Sequence, residues 1–329
     1  MSERREYGSL ILSPSPHIHS GENILWVTLT YILALSPVLI LSMLDYGFQS
    51  ARVLCLSMGS AMVFEWLIQL LFGKKVTVHD GSALLTGLIF GMLMPAGVPW
   101  WLVLTGTFVS ILIGKQIFGG NGGYPFNPAL IGWASVRISW YGHMDYGLGF
   151  LNFSLPFSSE YPLTLLKKSG MSGVKGFSEM NLFLGNQVGG LGTVYIYLLL
   201  IGGLILLVRG VASWHIPVSF IGGVFLTSLI FYLVNGAKYG DPVFHFLTGS
   251  VVFGAFFLAT DHSTSPVNGL AMIFYGLGCG IFTMLFRAWS IYPDGVVFAI
   301  LLMNILNPLL DRIRPNVPGL VPQLKQAKE

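Results

Sequence analysis

Charged residues are scarce in this chain of 329 residues: Asp, Glu, Lys and Arg make up 9% of it, against about 25% in soluble domains. With a hydrophobic fraction of 53% and a mean hydropathy of +0.72, that scarcity excludes a soluble globular fold. The formal net charge is only +3 and is dispersed along the chain, so no nucleic-acid partner is predicted. The composition therefore indicates an integral membrane protein.

Cysteine and metal-binding patterns are also rare. The two cysteines, Cys55 and Cys279, lie far apart in apolar runs, and no Cys-rich motif accompanies them. An iron–sulfur centre held by this chain alone is therefore not expected. His17 and His19 form a His-x-His pair in a polar segment, but no third ligand follows at a metal-binding spacing, so no metal site is predicted.

Apolar runs long enough to cross a membrane dominate the rest of the sequence. The first, Ile24–Leu44, has spanning length, unlike the short core of a cleavable signal. Runs of spanning or near-spanning length number about ten, which predicts an all-α integral membrane protein with about ten transmembrane helices. Two of them, Ser82–Pro95 and Ala129–Trp140, are short, which is typical of segments beside a midplane binding site. The other predicted spans are Arg52–Phe72, Pro99–Phe118, Leu191–Val208, Trp214–Val234, Val243–Thr260, Gly269–Phe286 and Val296–Leu310.

Parts of the first half of the chain recur in the second. Asp80-Gly-Ser-Ala-Leu-Leu-Thr-Gly87 resembles Asp241-Pro-Val-Phe-His-Phe-Leu-Thr-Gly249, and Tyr124-Pro125 returns as Tyr292-Pro293. The matched positions are 162 to 168 residues apart, as loops of unequal length would produce. Because five spans per half is an odd number, the halves are predicted to be inverted repeats. The predicted divisions are an N-terminal segment 1–23, a first five-helix half 24–140, an outer loop 141–190, a second five-helix half 191–310 and a tail 311–329.

Lysine and arginine set the predicted orientation. Ten spans place both termini on one side, and most basic residues outside the long loop, such as Lys74, Lys75 and Lys115, fall on that side. By the positive-inside rule, both termini are expected in the cytoplasm and the loop 141–190 on the outer side.

One stretch, Gly119–Pro128, interrupts the apolar sequence with four glycines and two prolines. Such residues cannot continue a helix, and irregular backbone at membrane depth is tolerated only where protein buries it or it lines a cavity. The stretch lacks the Gly-Lys-Ser/Thr ending of a phosphate-binding loop. Two interpretations stay open: its amides, with Asn121 and Asn127, bind a neutral polar ligand, or it is a broken helix packed by its partner repeat.

Glu65 is an ionisable residue inside the second apolar run. A charge there is costly, and such residues mark either an ion path or a paired charge, of which the ion path is favoured here. Asp80 and Asp261 lie instead at the ends of spans, where helix capping or simple solvation is expected.

Several motifs together resemble a known family. They run from residue 12 to about 312 and are Leu12-Ser-Pro-Ser-Pro-His-Ile18, Asp80-Gly-Ser-Ala-Leu-Leu-Thr-Gly87, Pro125-Phe-Asn-Pro-Ala129, Thr264-Ser-Pro266, Tyr292-Pro-Asp-Gly-Val296 and Phe298-Ala-Ile-Leu-Leu-Met-Asn304. They resemble the RnfD family, the D-type subunits of the Rnf complex, which is the ion-translocating ferredoxin:NAD oxidoreductase. The NqrB proteins of the sodium-pumping NADH:quinone oxidoreductase are more distant relatives of that family.

The resemblance implies a urea-transporter-like fold and a multi-pass protein of the bacterial inner membrane. Its function would be to relay electrons through bound flavin, as one component of an oxidoreductase coupled to H⁺ or Na⁺ translocation. The implied partners are the A-, B-, C-, E- and G-type subunits of the complex, which carry iron–sulfur clusters and flavin. Two alternatives remain: a solute channel or transporter of the same fold without redox chemistry, and a flavin-poor structural subunit.

The resemblance also implies where flavin would bind. A non-covalent flavin such as riboflavin would contact Thr86, Asn127 and Asp261, with Tyr124 at a position where the family usually has Asn. Covalent FMN in the family is joined to a threonine of an outer-loop motif, and Tyr161 stands at that position here. Thr164 matches the second threonine of the motif, which is not the acceptor. No covalent FMN is therefore predicted.

Overall fold

The computed structural model describes residues 23–144, 146 and 160–313, and these residues form helices and connecting turns without any β-strand. The motif at Leu12–Ile18, Ser158 and Ser159 of the loop motif, and most of the predicted terminal segments lie outside the described residues.

The first half begins with α1, which consists of two helical segments separated by a kink that lies between the predicted spans Ile24–Leu44 and Arg52–Phe72. It covers Ile24–Leu71, 48 residues, and bends at Gly47, whose φ of 58° and ψ of −141° only glycine adopts readily. Its first turn is capped by Asn23, whose side chain accepts a hydrogen bond from the Trp26 amide. The remaining helices of this half are α2 (Ser82–Leu93), α3 (Trp100–Ile111) and α4 (Pro128–Ser139).

The predicted outer loop contains two short helices, α5 (Pro162–Ser169) and α6 (Glu179–Leu184). The second half follows with α7 (Ile196–Val208), α8 (His215–Tyr239), α9 (Pro242–Leu247), α10 (Val251–Phe253), α11 (Gly269–Trp289) and α12 (Val296–Leu310).

The predicted span Val243–Thr260 is not one helix. It breaks between α9 and α10 at Gly249, whose φ is 73°. After α10 the chain continues as a π-helical turn over Gly254–Leu258. At the break, Arg287 Nη2 donates to the Thr248 carbonyl at 2.8 Å, which supplies a partner that the interrupted helix no longer provides.

Three helices are long and apolar enough to cross a membrane: α1, α8 and α11. The helices α2, α7 and α12 are apolar but shorter. Large apolar side chains stay exposed along the long helices, for example Leu44, Leu233 and Leu270. These features are those of a membrane protein.

Helix boundaries recur at a nearly constant spacing. The helices α2, α3 and α4 begin at Ser82, Trp100 and Pro128, and α10, α11 and α12 begin 168 or 169 residues later. The first α2 residue, Ser82, follows Gly81, and Ser250 follows Gly249; both glycines have a φ of 73°. This spacing pairs Gly81 with Gly249, whereas the sequence comparison paired Gly87 with Gly249.

The two halves meet through polar side chains as well as packing. Asn127 Nδ2 donates to the Leu258 carbonyl at 3.4 Å, and the Tyr31 and Thr260 hydroxyls are 3.4 Å apart. These contacts place the start of α4 and the first part of α1 against residues 257–263 of the second half.

Candidate functional site

A cavity of about 680 Å³ lies where these elements meet. It is bounded by the first part of α1, the N-terminal part of α2, the stretch Gly119–Pro128 and the residues that follow α10. Thr86, Tyr124, Asn127 and Asp261, the four residues that the sequence assigned to a non-covalent flavin, all line it. The structure therefore brings together side chains that are up to 175 positions apart in the sequence.

Thr86 and Asn127 are held in place by the helices that carry them. Thr86 is half-buried in α2, and its hydroxyl donates to the Ser82 carbonyl one turn earlier at 2.9 Å. Asn127 is buried and caps α4: its Oδ1 accepts from the Ala129 amide at 3.1 Å. Pro128 follows in the first helical position, where its missing N–H costs nothing. Two predicted site residues thus stand on rigid elements.

Tyr124 and Asp261 are two of the cavity's ionisable groups. Burial raises the pKa of Asp261 to about 6, although hydrogen bonds from Thr264 and Tyr124 favour the ionised form. The Thr264 hydroxyl donates to Asp261 Oδ2 at 3.1 Å. Tyr124 is buried, and its hydroxyl donates to Asn121 Oδ1 at 3.5 Å. Near neutral pH, the cavity therefore presents a carboxylate beside neutral donors and acceptors.

The rest of the lining is largely apolar. Ile89 and Phe257 are buried, and they form walls of the cavity together with the aromatic ring of Tyr31. No Lys or Arg of the described residues lines it. A neutral, flat ligand with both donors and acceptors fits this lining, whereas a phosphate would find no lysine or arginine there. Sequence reasoning missed Tyr31 and Phe257 because both are typical of a helix core.

Glu65 lies next to this cavity in a buried charged network. It is fully buried, and its Oε1 is 2.7 Å from Nζ of Lys115, which is 1% exposed. Lys115 Nζ also donates to the Ser82 hydroxyl at 2.6 Å, and that hydroxyl donates to Asp80 Oδ1 at 2.5 Å. Ser82 lines the cavity, so the network connects Glu65 to it.

One oxygen of Glu65 is unsatisfied. Its Oε1 accepts from Gln116 Nε2 at 2.9 Å and from Gln69 Nε2 at 3.2 Å, whereas its Oε2 is buried without a hydrogen-bond partner in the described chain. The sequence pattern identified Glu65, whereas Lys115 was used only to predict the orientation of the chain in the membrane. The signal that was available is its setting, since apolar residues flank Gly114-Lys115-Gln116 on both sides.

Tyr161 lies elsewhere. It precedes α5 in the predicted outer loop, is 4% exposed, and packs its ring 5.0 Å from that of Tyr146, centroid to centroid. It is not among the residues that line the cavity. The structure therefore separates the two predicted flavin positions.

The fold and the cavity define a multi-pass membrane protein with a polar site between two sets of helices. Residues 11–319 match the model of the NQR2, RnfD, RnfE family, and the chain belongs to that family. The resemblance found in the motifs is thereby confirmed.

Similar proteins cover nearly the whole chain. The D subunit of the Na(+)-translocating ferredoxin:NAD(+) oxidoreductase complex of Acetobacterium woodii is 35% identical over 97% of this chain and 98% of its own length. The D subunit of the proton-translocating ferredoxin:NAD(+) oxidoreductase complex of Clostridium ljungdahlii is 36% identical over 92% of this chain and 93% of its own length. The D subunit of the ion-translocating oxidoreductase complex of Pectobacterium atrosepticum is 32% identical over 91% of this chain and 95% of its own length. The names of these relatives differ in the ion, so family membership does not select H⁺ or Na⁺ for this chain.

Proposed function

We propose that this chain is the membrane electron-transfer subunit of an Rnf-type ion-translocating ferredoxin:NAD oxidoreductase, with a flavin in the cavity. The observation that carries the proposal is that Thr86, Tyr124, Asn127 and Asp261 line one cavity in a chain of this family. A bound flavin would supply one- and two-electron chemistry, and the protein would bind it, orient it and exclude water. No complete active site is expected in this chain alone.

The lining fits riboflavin better than FMN. The Thr86 hydroxyl and the Asn127 amide stand beside the Asp261 carboxylate, so the cavity offers donors and acceptors to the polar edge of a flavin ring. The apolar side chains Ile89 and Phe257 suit its faces. An ionised Asp261 would repel a phosphate, and no lysine or arginine of the described lining would offset it. A phosphate-free flavin is therefore the proposed ligand.

The inverted-repeat arrangement is supported by two observations. Three helices of the second half, α10, α11 and α12, begin 168 or 169 residues after α2, α3 and α4. In addition, Tyr195 directly precedes α7, and its hydroxyl donates to Asp45 beside the bend of α1 at 2.6 Å. The first part of α1 therefore ends where α7 begins, so the two run in opposite directions across the bundle, as inverted halves require.

The complex supplies the remaining parts of the proposed function. We expect partners of the A, B, C, E and G types, which would bring iron–sulfur clusters and further flavin. Both termini are expected on the cytoplasmic side of a bacterial inner membrane, in keeping with the basic residues of the short loops.

Glu65 is the residue that we assign to the ion path. It is fully buried, its Oε2 has no partner in the described chain, and Lys115 and Ser82 connect it to the cavity. A change of charge in the cavity would alter the electrostatic potential at Glu65, because buried charges are poorly screened. Movement of the two halves or of adjacent subunits would then open the path.

The flavin assignment is tested by the absorption spectrum of the protein and by a variant that removes the Thr86 hydroxyl. Purified free of its partner subunits, the protein is expected to show a flavin absorption spectrum. A Thr86→Val variant should bind added riboflavin up to about tenfold more weakly, because it loses one hydrogen bond but keeps its shape. Fluorescence titration of the flavin-depleted protein measures this.

The matched control for that variant is Thr105→Val. Both threonine hydroxyls donate to the carbonyl one turn earlier, at 2.9 Å for Thr86 and 2.8 Å for Thr105, but Thr105 does not line the cavity. Riboflavin affinity should be unchanged in the control. A colourless protein that conducts a small solute would instead favour the channel alternative and refute the proposal.

The chain is expected to carry no covalent FMN. Tyr161 stands where the family usually has the acceptor threonine, and its ring is buried, so a flavin transferase should not reach its hydroxyl. Intact-mass measurement of the protein from its native cells should give the mass of the polypeptide without an FMN adduct. An adduct that maps to Tyr161 or Thr164 would contradict this expectation.

A further inference from the structure

A second cavity, of about 210 Å³, lies between the C-terminal ends of α8 and α11, the start of α9 and the loop helix α5. It shares no lining residue with the flavin cavity. Three basic side chains line it, and each comes from a different helix: Lys167, Lys238 and Arg287. No Asp or Glu of the described residues lines it. We call this cavity the basic slot.

The two lysines of the basic slot are not neutralised by the described chain. Lys167 Nζ donates to the Ser290 carbonyl, and Lys238 Nζ lies 5.1 Å from the centre of the Tyr239 ring. Neither lysine is within 4.0 Å of a carboxylate of the described residues. A carbonyl and an aromatic ring orient these cations but leave their charges uncompensated.

Arg287 adds a buried donor without an acceptor. It is 6% exposed, and its guanidinium donates to the carbonyls of His245 and Thr248 at 2.7 and 2.8 Å and to Asp294 at 3.2 Å. Its Nε is buried and has no partner in the described chain. A buried donor left unpaired is destabilising, so an oxygen of a bound anion would complete its hydrogen bonds.

The other wall of the basic slot is apolar and lies beside an interfacial tryptophan. Leu166, Phe231 and Met284 line it. The Trp289 ring, 71% exposed, is 6.0 Å from the Phe231 ring, centroid to centroid, and Ile291 next to it is 78% exposed. Tryptophan is enriched at the level of lipid headgroups on both sides of a membrane, so the basic slot joins cations to an apolar wall at the level where a headgroup meets its acyl chains.

We propose that the basic slot binds the headgroup of an anionic phospholipid, with phosphate oxygens on Lys167, Lys238 and Arg287 and an acyl chain along the apolar wall. A soluble anion would account for the cations but not for Leu166, Phe231 and Met284. The lipid would bridge the loop helix α5 to the ends of α8 and α11, and so fix the outer loop to the second half.

The test compares two double variants of the full-length protein in its complex. Lys167→Gln/Lys238→Gln removes two charges from the basic slot, whereas Lys168→Gln/Lys175→Gln removes two exposed charges of the same loop that do not line it. Native mass spectrometry after addition of dioleoylphosphatidylglycerol or dioleoylphosphatidylcholine measures the retained lipid. The slot variant should bind phosphatidylglycerol about thirtyfold more weakly, and the control variant should bind it like the unchanged protein.

Three results would overturn the proposal. Equal retention of phosphatidylcholine and phosphatidylglycerol would show that the net charge of the lipid headgroup does not determine binding. Equal losses in the two double variants would place the lipid elsewhere. Full displacement of the lipid by glycerol 1-phosphate would show a site for a phosphate group and not for a lipid.

Discussion

A Lys115→Met variant is expected to unfold far more readily than the unchanged protein. The substitution leaves Glu65 fully buried without its cation, whose Nζ lies 2.7 Å from the carboxylate. Removing one partner of a buried ion pair costs about 3–5 kcal/mol, because the remaining charge is neither solvated nor paired. Chemical unfolding of the purified protein in one detergent measures the difference in free energy.

The double variant Glu65→Gln/Lys115→Met should recover most of that loss. It removes both charges together, and uncharged residues of similar volume often replace a buried pair at little cost. Glu179→Gln, on the exposed face of α6, is the control for loss of a carboxylate and should not change the unfolding free energy. If Lys115→Met is as stable as the unchanged protein, the pair does not hold this part of the fold.

The same double variant tests the ion path separately from folding. In the assembled complex it should support electron transfer from ferredoxin to NAD without coupled ion movement into vesicles. Normal pumping at normal turnover would remove Glu65 from the path.

The helices of this fold follow from composition and from the lengths of the apolar runs. The prediction for Val296–Leu310 matches α12, and the start at Gly269 matches α11. What the runs could not give is the direct junction of the two segments of α1 at Gly47, without an intervening loop, or the break at Gly249. Both depend on one glycine dihedral angle and on distant side chains such as Arg287, which hydropathy does not record.

For the candidate site too, some residues could be predicted from the sequence and others could not. Thr86, Asn127 and Asp261 were assigned from motifs, and the structure places them on one cavity. Lys115 and Ser82, which connect Glu65 to that cavity, were not assigned because they become neighbours only through packing of α3 against α1 and α2. Pairing across 33 to 50 positions of sequence leaves no local pattern.

Packing of α2 against α1 leads to the second large effect, which is expected for Gly87→Ala. A Cβ at Gly87 would lie 2.5 Å from the Ser57 carbonyl oxygen and 2.9 Å from the Met58 Cα, both backbone atoms of α1. Because backbone cannot move aside as a flexible side chain can, the two helices must separate. We expect a loss of stability of about 3 kcal/mol, the upper part of the usual range for overpacking.

The neighbouring Thr86 should shift with α2, so Gly87→Ala should also lose bound flavin. Gly59→Ala is the matched control: it also lies within a membrane helix, and a Cβ there meets no atom within 4 Å. Alanine is about 1 kcal/mol better than glycine inside a helix, so the control should be as stable as the unchanged protein or more so, with its flavin retained. Unfolding measurements and flavin absorbance on both variants decide the matter. If the two alanine variants behave alike, the close approach of α2 to α1 does not position this wall of the cavity.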